Sequence, residues 1–443
     1  MASTYRYHDM GTPTLRTKFT WSVWIKRSEL GTYATLASMW KNGNEHFMLR
    51  FDDTDQLRFY YTDGSSLLQD LKTNALYRDI SGWMNIVATF DSTENTASSR
   101  AKLYVNGEQI TSFATSTYPS INAQPNANAS GTDHYLGARG DGQNYGGLMS
   151  HCHFVDGAVY PASAFGSTDN VTGEWSINTA PTITEYGTNG WFMFKDDASL
   201  TDRSGKSNNF TNQSGTLTQT EDCPSNVFAT LNPLLANTGA TFSKGNTACY
   251  RTTSGNYRRI GCTLGATSGK YYAEFLLGAS QWAGVCLTNG GDMQRTQRDI
   301  SGYMGEYADD KSVGVRNDGI VYSSGANVSS AQWNQGSIST TDRLCLALDM
   351  DNKKLFLGKN GTWSSSSNPA TNTGGITLTG DSYTFCVATS NADCMINAGN
   401  GYMGTTAISS EGTNASGIGK FEYDVPSQGS TIFTALSTKG LNL

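Results

Sequence analysis

One stretch constrains the fold more than any other: Arg343-Leu-Cys-Leu-Ala-Leu-Asp-Met-Asp-Asn-Lys-Lys-Leu-Phe-Leu-Gly-Lys-Asn-Gly-Thr-Trp363. Leu344, Leu346 and Leu348 alternate with Cys345, Ala347 and Asp349. That is the period of two that a strand imposes, with small residues on the second face, as in a sandwich. Asp349-Met-Asp-Asn352 reads as a polar turn, because Asp and Asn bond their own backbone and tolerate left-handed φ. Leu355, Phe356 and Leu357 form the return strand. Lys359-Asn-Gly361 is a second turn, with Gly supplying positive φ. Trp363 closes the unit as a large apolar plug.

These residues resemble the core of the SPRY domain, Asp-x-Asp/Asn followed by Leu-x-Phe-x-Lys-Asn-Gly-x-Trp. The positions are filled by Asp349, Asp351, Leu355, Leu357 (in place of Phe), Lys359, Asn360, Gly361 and Trp363. The resemblance implies a β-sandwich in the second half of the chain. Its early strands would be Lys270-Tyr-Tyr-Ala-Glu-Phe-Leu-Leu277 and Trp282-Ala-Gly-Val-Cys-Leu287, and a late one Tyr383-Thr-Phe-Cys-Val-Ala388. Met395-Ile-Asn-Ala398 stands where the family often ends in Asn-Phe-Gly, a departure from the pattern. The tail from Ser427 is polar apart from Ile432, Phe433 and Leu436, which are expected to pack back on the sandwich; it has no heptad repeat.

At 443 residues the chain is too long for one core, and two or three domains are expected. Low charge (16%), 48 Gly and 22 Tyr fit an all-β protein with many turns and argue against disorder. A net charge of −7 with no basic run argues against nucleic acid as a partner. No run approaches the roughly eighteen apolar residues of a membrane span, so no membrane insertion is expected. Met-Ala-Ser-Thr-Tyr-Arg-Tyr-His lacks an apolar signal core, so synthesis in a cytosol without export by the usual route is expected. The eight cysteines include no Cys-x-x-Cys pair, against a zinc ribbon or redox dithiol. Cys286, Cys345 and Cys386 sit in apolar strand patterns and read as small buried hydrophobes. Cys249 with Cys262, or Cys386 with Cys394, are candidate pairs under oxidising conditions.

In the first half, Phe19, Trp21, Val23 and Ile25 share one strand face, and Thr20, Ser22, Trp24 and Lys26 the other, making Trp24 an outer-face aromatic. Short strands follow at Ala34-Thr-Leu-Ala-Ser-Met-Trp40, Phe47-Met-Leu-Arg-Phe51 and Leu57-Arg-Phe-Tyr-Tyr61. Gly82-Trp-Met-Asn-Ile-Val-Ala-Thr-Phe-Asp91, answered by Ala101-Lys-Leu-Tyr-Val-Asn-Gly107, resembles the laminin-G/concanavalin-A-like sandwich over residues 1–165. Tyr104, Val105, Asn106 and Gly107 are structural in that family and are given no chemistry. Trp191 to Phe194 is expected to be a strand of the same sandwich. Further on come His153-Phe-Val-Asp-Gly, Phe165-Gly, Tyr186-Gly-Thr-Asn-Gly-Trp-Phe and Asp202-Arg-Ser-Gly, then Asp222-Cys-Pro-Ser-Asn-Val-Phe-Ala-Thr-Leu-Asn-Pro233. Together they resemble structural proteins of tailed phages of marine bacteria, which join a laminin-G-like sandwich to a SPRY-like one. The fold expected is all-β, two concanavalin-like or jelly-roll antiparallel β-sandwiches in tandem, over 1–222 and 223–443.

Glycoside hydrolysis needs two carboxylates about 5–9 Å apart, and the common Glu-x-Asp-x-x-Glu pattern is absent. Asp349 and Asp351 lie in a turn that the family motif explains, and Glu306 with Asp309 reads as a solvated loop. No catalytic residue is assigned. His151 and His153 are the one close His pair and the weak candidates for a metal. Asp52, Asp53 and Asp55 are candidates for calcium, since hard cations want several oxygens, but a solvated turn is the simpler reading. Arg139-Gly-Asp141 and the sequon Asn360-Gly-Thr362 are discounted. Trp282, Trp333 and Tyr322 are the candidates for sugar or protein contact, because rings stack on apolar sugar faces and dominate interfaces.

The resemblance implies a non-enzymatic virion surface protein, a tail fibre, tail appendage or head fibre, made in the host cytoplasm. Its partners would be other virion proteins and host-surface glycan, with no resident cofactor. A symmetric homo-oligomer, a trimer first, is expected. A soluble carbohydrate-binding or adaptor protein is the alternative, and a polysaccharide depolymerase the third reading.

Overall fold

The structure is a computed structural model that describes residues 5–140, 142–235, 239–252, 257–288, 302–308, 310–365, 367–429 and 431–442. Asp141 and Asp309, which figure in two of the motifs above, lie outside these residues. The chain divides into two compact units, Met1–Leu217 and Thr218–Leu443. Both are built of antiparallel sheets, save that Thr434–Ala435 runs parallel to Tyr271 and Tyr272, and the single α-helix among the described residues is the one turn Ser329–Gln332.

In the first unit an eight-stranded sheet runs from edge to edge as Phe113–Thr117, Ser66–Leu76, Gln56–Asp63, Glu45–Phe51, Ala34–Asn42, Thr132–Leu136, Tyr5–Met10 and Thr211–Ser214. A six-stranded sheet runs Trp191–Met193, Gly147–Asp156, Lys18–Arg27, Met84–Asp91, Ala101–Val105 and Glu108–Gln109. Alternation decides what lies between them. Phe19, Trp21, Val23 and Ile25 are all fully buried in one core with Phe47, Phe59, Phe90 and Phe154. Phe19 sits at its centre, its ring centroid 5.1 Å from Phe47 and 5.2 Å from Phe90. Burying each such ring contributes about 1.5–3 kcal/mol. Trp24 lies on the opposite face, as alternation requires, and is buried there as well. Asn106 and Gly107 both adopt positive φ in the turn after Ala101–Val105. A Cβ on Gly107 would meet the Trp175 ring at 2.3 Å, so only glycine fits. Trp191–Met193 pairs with Cys152 to Phe154 and belongs to this sandwich, as expected.

In the second unit Leu344–Asp349 and Lys354–Lys359 form the hairpin read from the sequence. Its turn is held by Asn352, whose backbone N–H and side-chain amide each donate to the Asp349 carboxylate at 2.9 Å. The hairpin continues a sheet that includes Lys270–Leu277, Cys394–Asn397, Ala248–Arg251 and, at the edge, Ala240–Ser243. The facing sheet runs Arg258–Gly261, Tyr383–Thr389, Trp282–Leu287, Val313–Arg316, Val321–Ser323 and Ala326–Asn327. Leu344, Leu346 and Leu348 enter the core between the sheets. Cys345 and Ala347 enter a second apolar layer with Tyr272, Phe356, Phe421, Val425, Phe433 and Ala435. The C-terminal segment therefore covers the outer face of this sheet, which explains why the second face of Leu344–Asp349 carries small side chains. Phe433 and Leu436 pack back as expected, while Ile432 stays exposed.

Candidate functional site

Strand pleating fixes which side chains share a face. In the eight-stranded sheet Phe47, Leu49, Phe51, Leu57, Phe59 and Tyr61 point into the core. His46, Met48, Arg50, Arg58, Tyr60 and Thr62 therefore take the outer face. The strand registers lay these residues in files across the sheet. One file reads Asp9, Asp133, Trp40, His46, Thr62. The next reads Tyr7, Tyr135, Ser38, Met48, Tyr60, Asp70. The third carries three cations in a row, Arg50, Arg58 and Lys72.

The files interlock. The Arg50 guanidinium lies between two rings, 4.6 Å from the Tyr33 centroid and 5.0 Å from Tyr60, and Arg58 lies 4.5 Å from Tyr60. Such cation–ring contacts contribute about 0.5–2 kcal/mol each, more where water is excluded. Arg58 grips Asp70 through two parallel hydrogen bonds of 2.7 and 2.8 Å. Asp52 accepts from Arg50 at 2.8 Å and pairs with Lys72 at 3.0 Å. Arg50 also donates through Nη1 to Gln143 Oε1 at 2.8 Å, which ties in the loop beside the sheet. Trp40 stacks on His46 at 5.0 Å and carries the Arg139 guanidinium 5.2 Å above it. Burial pushes the Tyr60 hydroxyl above its ordinary pKa. Tyr60, His46 and Arg50 are themselves buried, so the part of this face open to a ligand is Tyr33, 41% exposed, with Trp40, Arg58 and Lys72 half-buried around it. Such a surface can stack on the apolar face of a ring and donate hydrogen bonds to its hydroxyl or carboxylate oxygens.

The residues expected to make contacts lie elsewhere. Trp282 opens the expected strand Trp282–Leu287 and is fully buried. It packs against Tyr303 and Met304, which come from a distant segment. Trp333 is also buried and joins the main core of the second unit, its Nε1 donating to Gly336 O at 2.7 Å. Trp282 therefore has no exposed surface, and Trp333 keeps 8% of its own. Tyr322 is half-buried against the same cluster as Trp282 and keeps an open edge.

His151 and His153 sit at a bulge in Gly147–Asp156, with His151 at φ 43°. His153 stacks on Phe192 at 3.9 Å, and its Nδ1 bonds the Tyr186 hydroxyl at 2.9 Å. Burial holds both imidazoles below their ordinary range, His151 down to about 4. Among the described residues no three His, Cys, Asp or Glu side chains converge as a metal would need. Asp55 is bound by Arg27 at 3.0 Å and Arg78 at 2.9 Å, and Asp52 by its own cations, so these carboxylates face protein nitrogens. Asp53 is exposed. Lys270 binds Asp349 at 3.2 Å and Asp351 at 2.8 Å, and Glu306 accepts from the Tyr303 backbone N–H.

Comparison with curated proteins finds no match. Among solved structures the chain is similar to the SPRY domain of human HERC1, at 17% identity over 38% of this chain and 96% of that one, with a TM-score of 0.29. It is similar to a heptameric pentraxin from Limulus polyphemus, at 14% identity over 36% and 72%, with a TM-score of 0.28. It is similar to domain 4 of an extracellular arabinanase from Geobacillus stearothermophilus, solved with arabinotriose, at 19% identity over 33% and 64%, with a TM-score of 0.26. Residues 3–163 match the family described as the concanavalin A-like lectin/glucanases superfamily, and the first unit carries a laminin-G/concanavalin-like domain.

Proposed function

We propose that this chain is a non-enzymatic surface protein of a tailed-phage virion that binds host glycan through the outer face of its eight-stranded sheet. The observation that carries the glycan reading is the set of files on that face, with Tyr33 and Tyr60 against Arg50, Tyr60 against Arg58 and Trp40 against Arg139, on a concanavalin-like domain. Aromatic rings beside charged hydrogen-bond donors suit a polyhydroxylated ring with one apolar face. The virion reading rests on the motif resemblance carried by residues 153–233. Its other partners would be neighbouring virion proteins, and its assembly a symmetric homo-oligomer. Immunogold labelling of intact particles tests the location. Binding of the purified chain to a panel of neutral and acidic polysaccharides tests the glycan claim.

A depolymerase reading has one observation in its favour. Asp9 and Asp133 stand directly opposite each other on adjacent strands, beside Trp40. Burial, reinforced by the charge of Asp9, raises the Asp133 pKa, although Tyr135 donates to it at 3.1 Å. Reducing-end release from any bound polysaccharide would favour this reading over simple binding.

A further inference from the structure

Sequence spacing set Cys249 beside Cys262 and Cys386 beside Cys394. The fold sorts the cysteines differently. In the antiparallel pairing of Ala248–Arg251 with Cys394–Asn397, Cys249 stands directly opposite Cys394. No other two cysteines are opposed in register among the described residues: Cys286 faces Thr384, Cys345 faces Glu274 and Gly358, Cys386 faces Gly284 and Gly261, and Cys152 faces Met193. No disulfide joins any of the eight cysteines.

We propose that Cys249 and Cys394 form an oxidative modification site, closing a cross-strand disulfide when the protein leaves a reducing compartment.

The backbone geometry suits it. Ile396 donates its N–H to Thr247 O at 2.8 Å, one step along the ladder from Ala248 and Met395. Antiparallel pairs alternate, so the cysteines fall at a hydrogen-bonded pair, where Cα atoms stand about 5.5 Å apart. A disulfide spans Cα separations of about 4.4–6.8 Å. The Cβ atoms of a hydrogen-bonded pair start near the wide end of about 4.5–5.5 Å, and the bond needs about 3.8 Å, so the strands must draw together. The strand that moves belongs to the hairpin of Ala240–Ser243 and Ala248–Arg251, which forms the edge of its sheet. An edge hairpin has a neighbour on one side only. The bond would fasten this hairpin to Cys394–Asn397, far away in sequence.

The chemistry balances with a disulfide oxidant such as glutathione disulfide. One cysteine thiolate attacks the oxidant, releasing one glutathione thiol and leaving a mixed disulfide. The second cysteine sulfur then displaces the other glutathione. Two protein thiols become one disulfide, two electrons pass to glutathione, and two glutathione thiols leave. Both cysteines are buried, and burial together with the neighbouring Cys249 holds the Cys394 thiol well above its ordinary range. Thiolate is scarce in the closed state, so the reaction should be slow and should follow local opening of the hairpin.

The test uses the full chain. The purified protein is incubated with glutathione disulfide, then unfolded, alkylated and mapped by mass spectrometry. The expected result is loss of two of the eight free thiols, a mass decrease of about 2 Da, and a linked peptide pair containing Cys249 and Cys394. Dithiothreitol should restore all eight. Cys249→Ser and Cys394→Ser should each abolish the linked pair, and the wild-type peptide map decides the matter even if either variant folds poorly. Free thiols at Cys249 and Cys394 after exhaustive oxidation, a stable mixed disulfide at either of them, or a bond joining either to another cysteine would overturn the proposal.

Discussion

Trp282 and Tyr303 lie face to face, their ring centroids 4.4 Å apart and their planes 3° from parallel. Tyr322 meets both rings edge-on, at 6.0 and 5.0 Å, and Arg316 lies 5.5 Å from the Trp282 centroid. The indole is thus a structural keystone beneath a layer of tyrosines. Trp282→Ala should destabilise the second unit by about 3–5 kcal/mol, the cost of removing a large buried ring. Polysaccharide binding by the first unit should be unchanged. Urea unfolding followed by tryptophan fluorescence, with a parallel binding assay, checks both halves of the prediction.

Glu274 is fully enclosed, accepting from the backbone N–H groups of Glu422 at 3.0 Å and Tyr423 at 2.8 Å. Burial outweighs these bonds and pushes its pKa up to about 7. An unfolded Glu titrates near about 4.3. The folded chain therefore holds this proton where the unfolded chain has lost it. The stability this group contributes is complete below the unfolded pKa and is lost as pH rises through about 7. The melting temperature of the second unit should fall between pH 5 and pH 8, and Glu274→Gln should flatten that slope. A Glu274→Gln protein with the wild-type pH profile would sink this account of the carboxyl.

Asp310 shows the opposite sign. Burial alone would raise its pKa, but the Arg259 guanidinium at 2.5 Å and the bonds from Ser312 win and hold it below the ordinary carboxylate range. Its contribution is present above the unfolded value, near about 3.9, and is lost as pH falls through the folded value. Asp310→Asn leaves a buried Arg259 uncompensated and should cost about 3–5 kcal/mol at neutral pH. The penalty should shrink in acid. Chemical denaturation at pH 7 and pH 3 gives the comparison.

Much of the fold was legible because it is local. The alternation in Leu344–Asp349 and in Phe19 to Ile25 names the core faces without any knowledge of partners. The site was not legible for the same reason. Trp40 matters through its register with Asp133 and His46, and Arg50 through Arg58 and Tyr33, relationships that only the assembled sheet creates. Trp282 misled because its covering residues, Tyr303 and Met304, come from a separate segment. The one-residue motif logic that found the hairpin has no access to either fact.

Binding should not need a divalent cation. Asp52 and Asp55 already face arginine and lysine nitrogens, so a cation bound there would have to share these carboxylates with their ion pairs. Polysaccharide affinity measured with and without a chelator should agree within about twofold, a difference of roughly 0.4 kcal/mol. Loss of binding on chelation, restored by calcium, would contradict this.

The most direct measurement is polysaccharide binding by wild-type protein, by a Tyr33→Ala/Trp40→Ala double variant and by Tyr322→Ala, using calorimetry on the same panel of neutral and acidic polysaccharides. The account predicts that at least one polysaccharide binds the wild type, that the double variant binds it at least about tenfold more weakly, a loss of roughly 1.4 kcal/mol, and that Tyr322→Ala binds it as the wild type does. Binding that survives in a folded double variant, or that Tyr322→Ala removes instead, would contradict the assignment of the outer face of the eight-stranded sheet.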